Sequence, residues 1–405
     1  MISLINMKNP DQALYLTARE AAGELGVSPA TLYAYVSRGM IRSEPVAETR
    51  ARRYRAEDVR ALKGRRVPFG APRAGEADAP VLDSAVSTIG EAGPIYRGVP
   101  AVALAEDGSL EQAATLLWGC SAADPFDVDN LPVVSHAMRT ILAASAGAAP
   151  LSRAIAVLAL AGEADPRAFN RTPDGRARTG ARAMRLVTAA VLNAAPSARP
   201  LHEQVADAWA PRDARARALL RRALVLLADH ELNASSFTVR CAASTGLNLY
   251  DATVAGLAAL KGPRHGGAGP LAAKMVAELA EGDIASGIRE RVALGSPVPG
   301  FGHSVYRDGD PRADALLSAL LRAGADRRLA VDAPALITEA TGLRPNIDFS
   351  LAVLMRMLGL PIGHETALFA IARTAGWIAH AMEQLATEAL IRPRARYVGP
   401  TPPRG

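Results

Sequence analysis

Apolar residues recur every three to four positions through most of the chain, the spacing that lays them along one face of an α-helix. From Leu82 onward this pattern is nearly continuous. The exception is the stretch VSTIGEAGPIYRG (86–98), whose central turn signal predicts a short hairpin. Upstream, residues 15–66 read as a compact unit. Thr17 and Glu20 form a T-x-x-E capping box that starts a short helix ending near Gly26. Val27 is the turn; Ser28 caps a second helix with Pro29 at its first position and Gly39 past its end. Leu25, Val27, Leu32 and Val36 supply the apolar contacts between the two helices. A basic extended stretch follows, then an acid-started helix from Ala56 to about Lys63. Residues 67–81 carry Pro, Gly and Ala without apolar periodicity and read as a linker.

Composition sharpens the fold class. The chain is 49% apolar but only 4% aromatic. Much of that apolar content is alanine and leucine, strong helix formers that pack closely. A mostly α fold follows, rather than a sandwich or a doubly wound sheet, and 405 residues predict two to three domains. Cys120 and Cys241 make no metal spacing and no disulfide framework, so no metal site is expected. The start MISLINMKNPDQ lacks the features of a signal peptide, and no run of about 18 apolar residues occurs. A cytoplasmic protein without a membrane span is the expectation.

Charge is uneven. Residues 1–66 hold 12 Lys/Arg against 7 Asp/Glu, which accounts for five of the net +6. An excess confined to one small segment points to a polyanion partner. The segment LTAREAAGELGVSPATLYAYVSRGMI, with the later RRYRAEDVRAL, resembles the MerR-type winged helix-turn-helix. That resemblance implies DNA binding through residues 15–66, with the second helix in the major groove and the basic stretch as a wing on phosphates. Thr31, Tyr33, Arg38, Arg52 and Arg53 are then the candidate contacts. The plainer alternative is a helical appendage used for dimer contacts.

Three histidines sit in polar or glycine-punctuated settings: His230 in HELNASSFTVRCAAST, His265 in KGPRHGGAG and His303 in PVPGFGHSVY. Arg312 (DPRA), Asp348 (RPNIDFS), Arg373 (ARTAGWIAH) and Arg392 (IRPRARY) follow. Taken singly, a histidine beside glycine is more often a turn residue, and an aspartate after Pro-Asn is commonly only a helix cap. Their joint order resembles the citrate synthase family, as does IYRGVPAVALAEDGSLEQAATLLWG. The resemblance spans roughly residues 82–401.

It implies a large helical domain of residues 82–265 plus 346–405, a small one of 266–345, and a homodimer. It also implies an acyltransferase that condenses acetyl-CoA with oxaloacetate to citrate, releasing CoA, with no permanently bound cofactor. Asp348 is then the base that takes the proton beside the thioester. His265 is the donor to the enol oxygen, and Gly266 and Gly267 beside it allow close approach. His303 polarises the ketone, and His230 hydrogen-bonds oxaloacetate. Arg312, Arg373 and Arg392 hold its carboxylates, Arg392 from the partner subunit. Val298, Pro299, Gly300, Phe301 and Gly302 form the CoA adenine loop, with Arg307 a candidate for the phosphates. His364 and His380 read as structural, His136 and His202 carry no role, and Cys241 reads as an inert thiol. HELNA is not HExxH, so His230 has no second zinc ligand.

Arg264, Gly269, Ser304 and Ser350 depart from the family text; Gly269 stands where asparagine is common. They bear on acyl preference and turnover. A 2-methylcitrate synthase using propionyl-CoA is one alternative, since a methylene is worth only about 1–3 kcal/mol of discrimination. A DNA-binding regulator whose synthase-derived body senses a ligand is the other.

Overall fold

The computed structural model describes residues 15–25, 27, 32–33, 35–36, 41–46, 52–56, 58–59, 82–120, 124–306 and 308–399. The chain divides into two compact units, residues 1–77 with 303–305, and residues 78–302 with 306–405. Ser28, Pro29, Thr31, Arg38, Gly39, Arg307 and the 67–81 linker lie outside the described residues.

In the first unit, β1 (Tyr15–Thr17) runs straight into α1 (Ala18–Leu25). The capping box forms there: Thr17 N donates to Glu20 Oε2 at 2.8 Å and Glu20 N to Thr17 Oγ1 at 3.3 Å. β2 (Ser43–Pro45) and β3 (Arg52–Arg55) complete an antiparallel sheet of order β1-β3-β2. Residues 32, 33, 35 and 36 are helical, as the pattern predicts. Leu25 and Leu32 are buried and Val27 and Val36 pack against them, joined by Tyr54 and Ile41. Arg42 grips Asp58 with two guanidinium nitrogens at 2.8 and 2.7 Å. Those bonds hold the Asp58 carboxyl down at about 2.

The second unit opens with the expected hairpin, β4 (Ser87–Gly90) and β5 (Gly93–Tyr96), extended by β6 (Val99–Pro100). Helices follow: α2 (Ala101–Asp107), α3 (Leu110–Trp118), α4 (His136–Ala144), α5 (Pro150–Ala164), α6 (Pro173–Leu192), α7 (Leu201–Trp209) and α8 (Ala216–Leu227). Next come α9 (Ala234–Ala243), α10 (Leu249–Leu260), α11 (Ala268–Glu281), α12 (Ile284–Ala293), α13 (Pro311–Arg322), α14 (Ala333–Thr341), α15 (Ile347–Met357) and α16 (His364–Thr387). The protein is mostly helical, as composition predicts. α16 is the axis of this unit: it is buried along most of its length and packs on α3, α6, α8, α9, α10 and α11. α15 lies between α11 and α13. No helix among the described residues is long and apolar enough to cross a membrane.

Candidate active site

The site is built on the entrance to α15. Asn346 caps that helix, its Oδ1 accepting from Asp348 N at 3.0 Å. The loop before it is stitched to residues 300–302: Gly302 N donates to Arg344 O at 2.7 Å, Asn346 N to Gly300 O at 2.8 Å, and Asn346 Nδ2 to Gly302 O at 2.8 Å. Gly300 is required there twice over. Its φ of +81° is left-handed, and a Cβ would come within 2.8 Å of Phe349 Cβ. Val298 and Pro299 are half-buried and Phe301 is buried, its ring edge-on to Phe349 at 4.8 Å. The predicted nucleotide loop and the predicted base are thus one rigid piece.

Asp310 joins this piece to α13. Its Oδ1 accepts from Arg312 N at 3.0 Å and from Arg312 Nε at 2.9 Å. Oδ2 takes Arg312 Nη2 at 2.8 Å and Ile347 N, at the start of α15, at 3.0 Å. Arg312 and Asp310 are both buried, an arrangement that requires the pair to be fully bonded. Burial works against the Arg312 charge, but the Asp310 carboxylate outweighs it, and the guanidinium holds its proton more tightly than usual. The same guanidinium lies 5.6 Å from the Tyr306 ring centre, and Tyr306 Oη bonds His230 Nε2 at 2.9 Å. Burial pushes the Tyr306 phenol up to about 12.

Arg373 comes from α16. It is buried, donates from Nε to Leu227 O at 2.9 Å, and lies 4.5 Å over the Phe369 ring. Burial lowers it to about 10, which leaves it charged at neutral pH. His265 sits in the turn before α11, its N donating to Gly262 O at 2.9 Å. Its Nε2 meets Ser235 Oγ at 2.8 Å, and Trp377 Nε1 donates to that oxygen at 3.0 Å. Burial, helped by the Arg373 charge, pushes His265 down to about 4, so the imidazole is neutral at pH 7. Asp348 moves the other way. Burial raises it to about 6; Asp310 and Glu365 add to the rise, while Arg312 and Arg373 oppose it.

His230, His265, Asp348, Arg312 and Arg373 are therefore electrically or physically linked around Tyr306 and the α15 entrance. His303 stands between Gly302 and Tyr306 in the chain, its Nδ1 accepting from Val305 N at 3.0 Å. Arg392 is exposed on the irregular segment after α16. Arg52 and Arg53 are exposed on β3, Arg52 bonded to Ser43 and Arg53 to Glu44, while Tyr33 is 53% exposed.

Several residues were not singled out in the sequence. Ser235 holds His265. Asp310 fixes Arg312. Asp229 accepts from Ser87 Oγ and Glu231 N and bonds His380 Nε2 at 3.3 Å, anchoring the turn that carries His230. Gly376 lets α16 reach that carboxylate, since a Cβ there would fall 2.2 Å from Asp229 Oδ1. Asp310 had a visible signal, the aspartate before Pro at a helix start; the others had none. His380 is buried, as expected of a structural histidine, and Cys241 is half-buried with its thiol pushed up by burial.

A helical body with two buried guanidinium groups beside a neutral imidazole and a high-titrating carboxyl is the framework of an anion-binding, proton-transferring enzyme. The chain belongs to the citrate synthase family: residues 75–394 match the family model described as citrate synthase, C-terminal domain. Residues 16–66 match the model for the MerR HTH family regulatory protein. Among curated relatives, citrate synthase 2 of Bacillus subtilis (strain 168) is 40% identical over 186 residues, 44% of this chain and 50% of that one. A 2-methylcitrate synthase of Shewanella oneidensis is 38% identical over 187 residues, again 44% of this chain and 50% of the relative. The chain thus spans about half the length of the curated relatives it matches. The crystal structure of citrate synthase from Thermotoga maritima MSB8 superposes with a TM-score of 0.66 at 26% identity, covering 82% of this chain and 98% of that one.

Proposed function

We propose that the protein condenses an acyl-CoA with oxaloacetate and releases CoA, acting in the cytoplasm as a homodimer without a resident cofactor. The observation that carries this reading is the set of buried Arg312 and Arg373 in a body that holds His265 on Ser235 and His230 on Tyr306, with burial lowering the His265 imidazole and raising the Asp348 carboxyl. Asp348 takes the proton from the carbon next to the thioester, a step in which a positioned base contributes about 10²–10⁴-fold. When Ser235 donates to His265 Nε2, the ring proton sits on Nδ1 and serves the developing enol oxygen without bringing a full charge into the site. His303 polarises the ketone of oxaloacetate and protonates the resulting alkoxide. His230, Arg312 and Arg373 hold the two carboxylates, with Arg392 supplied by the partner subunit. Residues 298–302 take the adenine of CoA, and hydrolysis of the thioester product frees CoA. In the same reading, residues 266–345 form a smaller domain that closes over 82–265 and 346–405, shielding the enol from water.

Thiol release from acetyl-CoA and propionyl-CoA, each with and without oxaloacetate, tests the proposal. Oxaloacetate-dependent release is expected. Equal rates with both thioesters would overturn strict specificity, and no release with either would overturn the enzymatic reading.

A second function accompanies the first. The small antiparallel sheet with exposed Arg52 and Arg53, and the exposed Tyr33 on the second helix, support DNA binding by residues 15–66. A gel-shift titration that detects no binding at low salt would remove it.

A further inference from the structure

The turn that carries His230 is held from behind. Asp229 N donates to Tyr96 Oη at 3.2 Å, and the Asp229 carboxylate takes Ser87 Oγ and Glu231 N. Glu231 sits at φ +54°, left-handed for a residue with a side chain. These contacts fix the backbone; they do not aim the imidazole. Tyr306 reaches the ring itself. Its Oη lies 2.9 Å from His230 Nε2, with the two rings edge to face at 5.5 Å and 73°. Tyr306 is only 8% exposed, and the Arg312 guanidinium stands 5.6 Å from its ring centre. One side chain thus meets both His230 and Arg312, two of the groups read as oxaloacetate contacts.

A buried phenol needs a partner for its hydroxyl in any protein. Tyr96 finds one on the backbone, donating to Val225 O at 3.0 Å, and Tyr250 on the Asp165 carboxylate at 2.9 Å. Neither partner is a residue of the candidate site. Tyr306 instead directs its hydroxyl to a histidine within it. Burial pushes the phenol up to about 12, so it keeps its proton across the neutral range. When that proton is donated to Nε2, the ring proton of a neutral His230 sits on Nδ1, and the aim and tautomer of the imidazole are set together. A tyrosine that only filled space would need neither the histidine partner nor the place against Arg312.

We propose that Tyr306 is a positioning residue for oxaloacetate: its hydroxyl fixes the aim and tautomer of His230 while its ring braces the Arg312 guanidinium, so that the two meet the dicarboxylate as one preformed unit. The proposal rests on the reading of His230 and Arg312 as oxaloacetate contacts. It gives a role to the tyrosine of GFGHSVY, which follows His303 on the same short segment.

Tyr306→Phe in the full-length protein removes the hydroxyl and keeps the ring against Arg312. Two readouts are taken: the ¹⁵N NMR shifts of the His230 ring nitrogens, assigned by their loss in His230→Gln, and the calorimetric Kd for oxaloacetate. The natural protein is expected to show one Nδ1-protonated tautomer, which Tyr306→Phe loses. Kd is expected to rise about three- to tenfold, the effect of one neutral hydrogen bond, with KM for acetyl-CoA unchanged. In His230→Gln the same change at Tyr306 is expected to add no further loss, the mark of a direct coupling. Tyr306→Leu, which removes the ring as well, is expected to bind more weakly than Tyr306→Phe. Unchanged His230 signals in Tyr306→Phe, losses that simply add in the double variant, or equal binding by Tyr306→Phe and Tyr306→Leu overturn the proposal. Failure of the unaltered protein to bind oxaloacetate, with the His230 tautomer still responding to Tyr306→Phe, overturns instead the reading on which it rests.

Discussion

A carboxylate in the first turn of a helix, with two guanidinium groups nearby, would ordinarily titrate low. Asp348 titrates at about 6 because burial outweighs both arginines and two neighbouring carboxylates add to it. It is therefore ionised at neutral pH and still a stronger base than an exposed aspartate. Condensation is expected to fall below pH 6 along this titration. Stability follows the opposite sense. Between the ordinary value of 3.8 and about 6 the folded protein binds more protons at this position than the unfolded chain does. This contribution to stability is thus greatest in acid and is lost as pH rises through 6. Asp348→Asn, which removes a half-buried charge, should stabilise the protein at pH 7.5 by about 1–3 kcal/mol, read as a higher thermal midpoint. An unchanged midpoint would contradict the desolvation of that charge. His265 has the reverse sign. Held neutral down to about 4, it resists a proton that the unfolded chain accepts near 6.5, so it destabilises the fold as pH falls through that interval.

At the scale of elements, Asp310 is the joint between α13 and α15, serving Arg312 and the Ile347 amide at once. Asp310→Asn keeps the shape and removes the counter-charge. Leaving a buried guanidinium unpaired typically costs about 3–5 kcal/mol, and urea unfolding should show a loss of that order, with a raised KM for oxaloacetate as Arg312 loses its fixed position. A variant with unaltered stability and KM would refute the joint. Such joints also mark what the sequence could reveal. The Thr17–Glu20 box and the 87–96 hairpin were legible because each is decided by residues three to nine positions apart; the helix start after Pro345 was legible too, but its cap is Asn346 and not the aspartate the sequence suggested. Asp229 bonds His380 151 positions away, and Ser235 meets His265 30 positions away. His230, His265, Asp348, Arg312 and Arg373 were singled out through the order of their motifs, whereas Ser235 and Asp229, which bond them or their neighbours, come from packing and leave no motif.

At the scale of the whole molecule, one chain carries two compact units, one matching the MerR HTH family model and the other the citrate synthase model. The basic excess sits in the first, so its DNA affinity should fall steeply with salt. Arg52→Ala is expected to weaken binding uniformly across sequences and to flatten the salt slope by about one; an unchanged slope would remove Arg52 from the phosphate contacts. If oxaloacetate changes DNA affinity, DNA must change oxaloacetate affinity by the same factor. For the catalytic unit, the decisive experiment follows carbon rather than thiol. Acetyl-CoA labelled with ¹³C in both acetyl carbons is mixed with oxaloacetate, and products are read by NMR for the natural protein and for Asp348→Asn. Labelled citrate equal to the CoA released is expected from the natural protein, reduced about 10²–10⁴-fold in the variant while calorimetry shows oxaloacetate still bound. CoA release without labelled citrate, or a variant that condenses at full rate, would contradict the account.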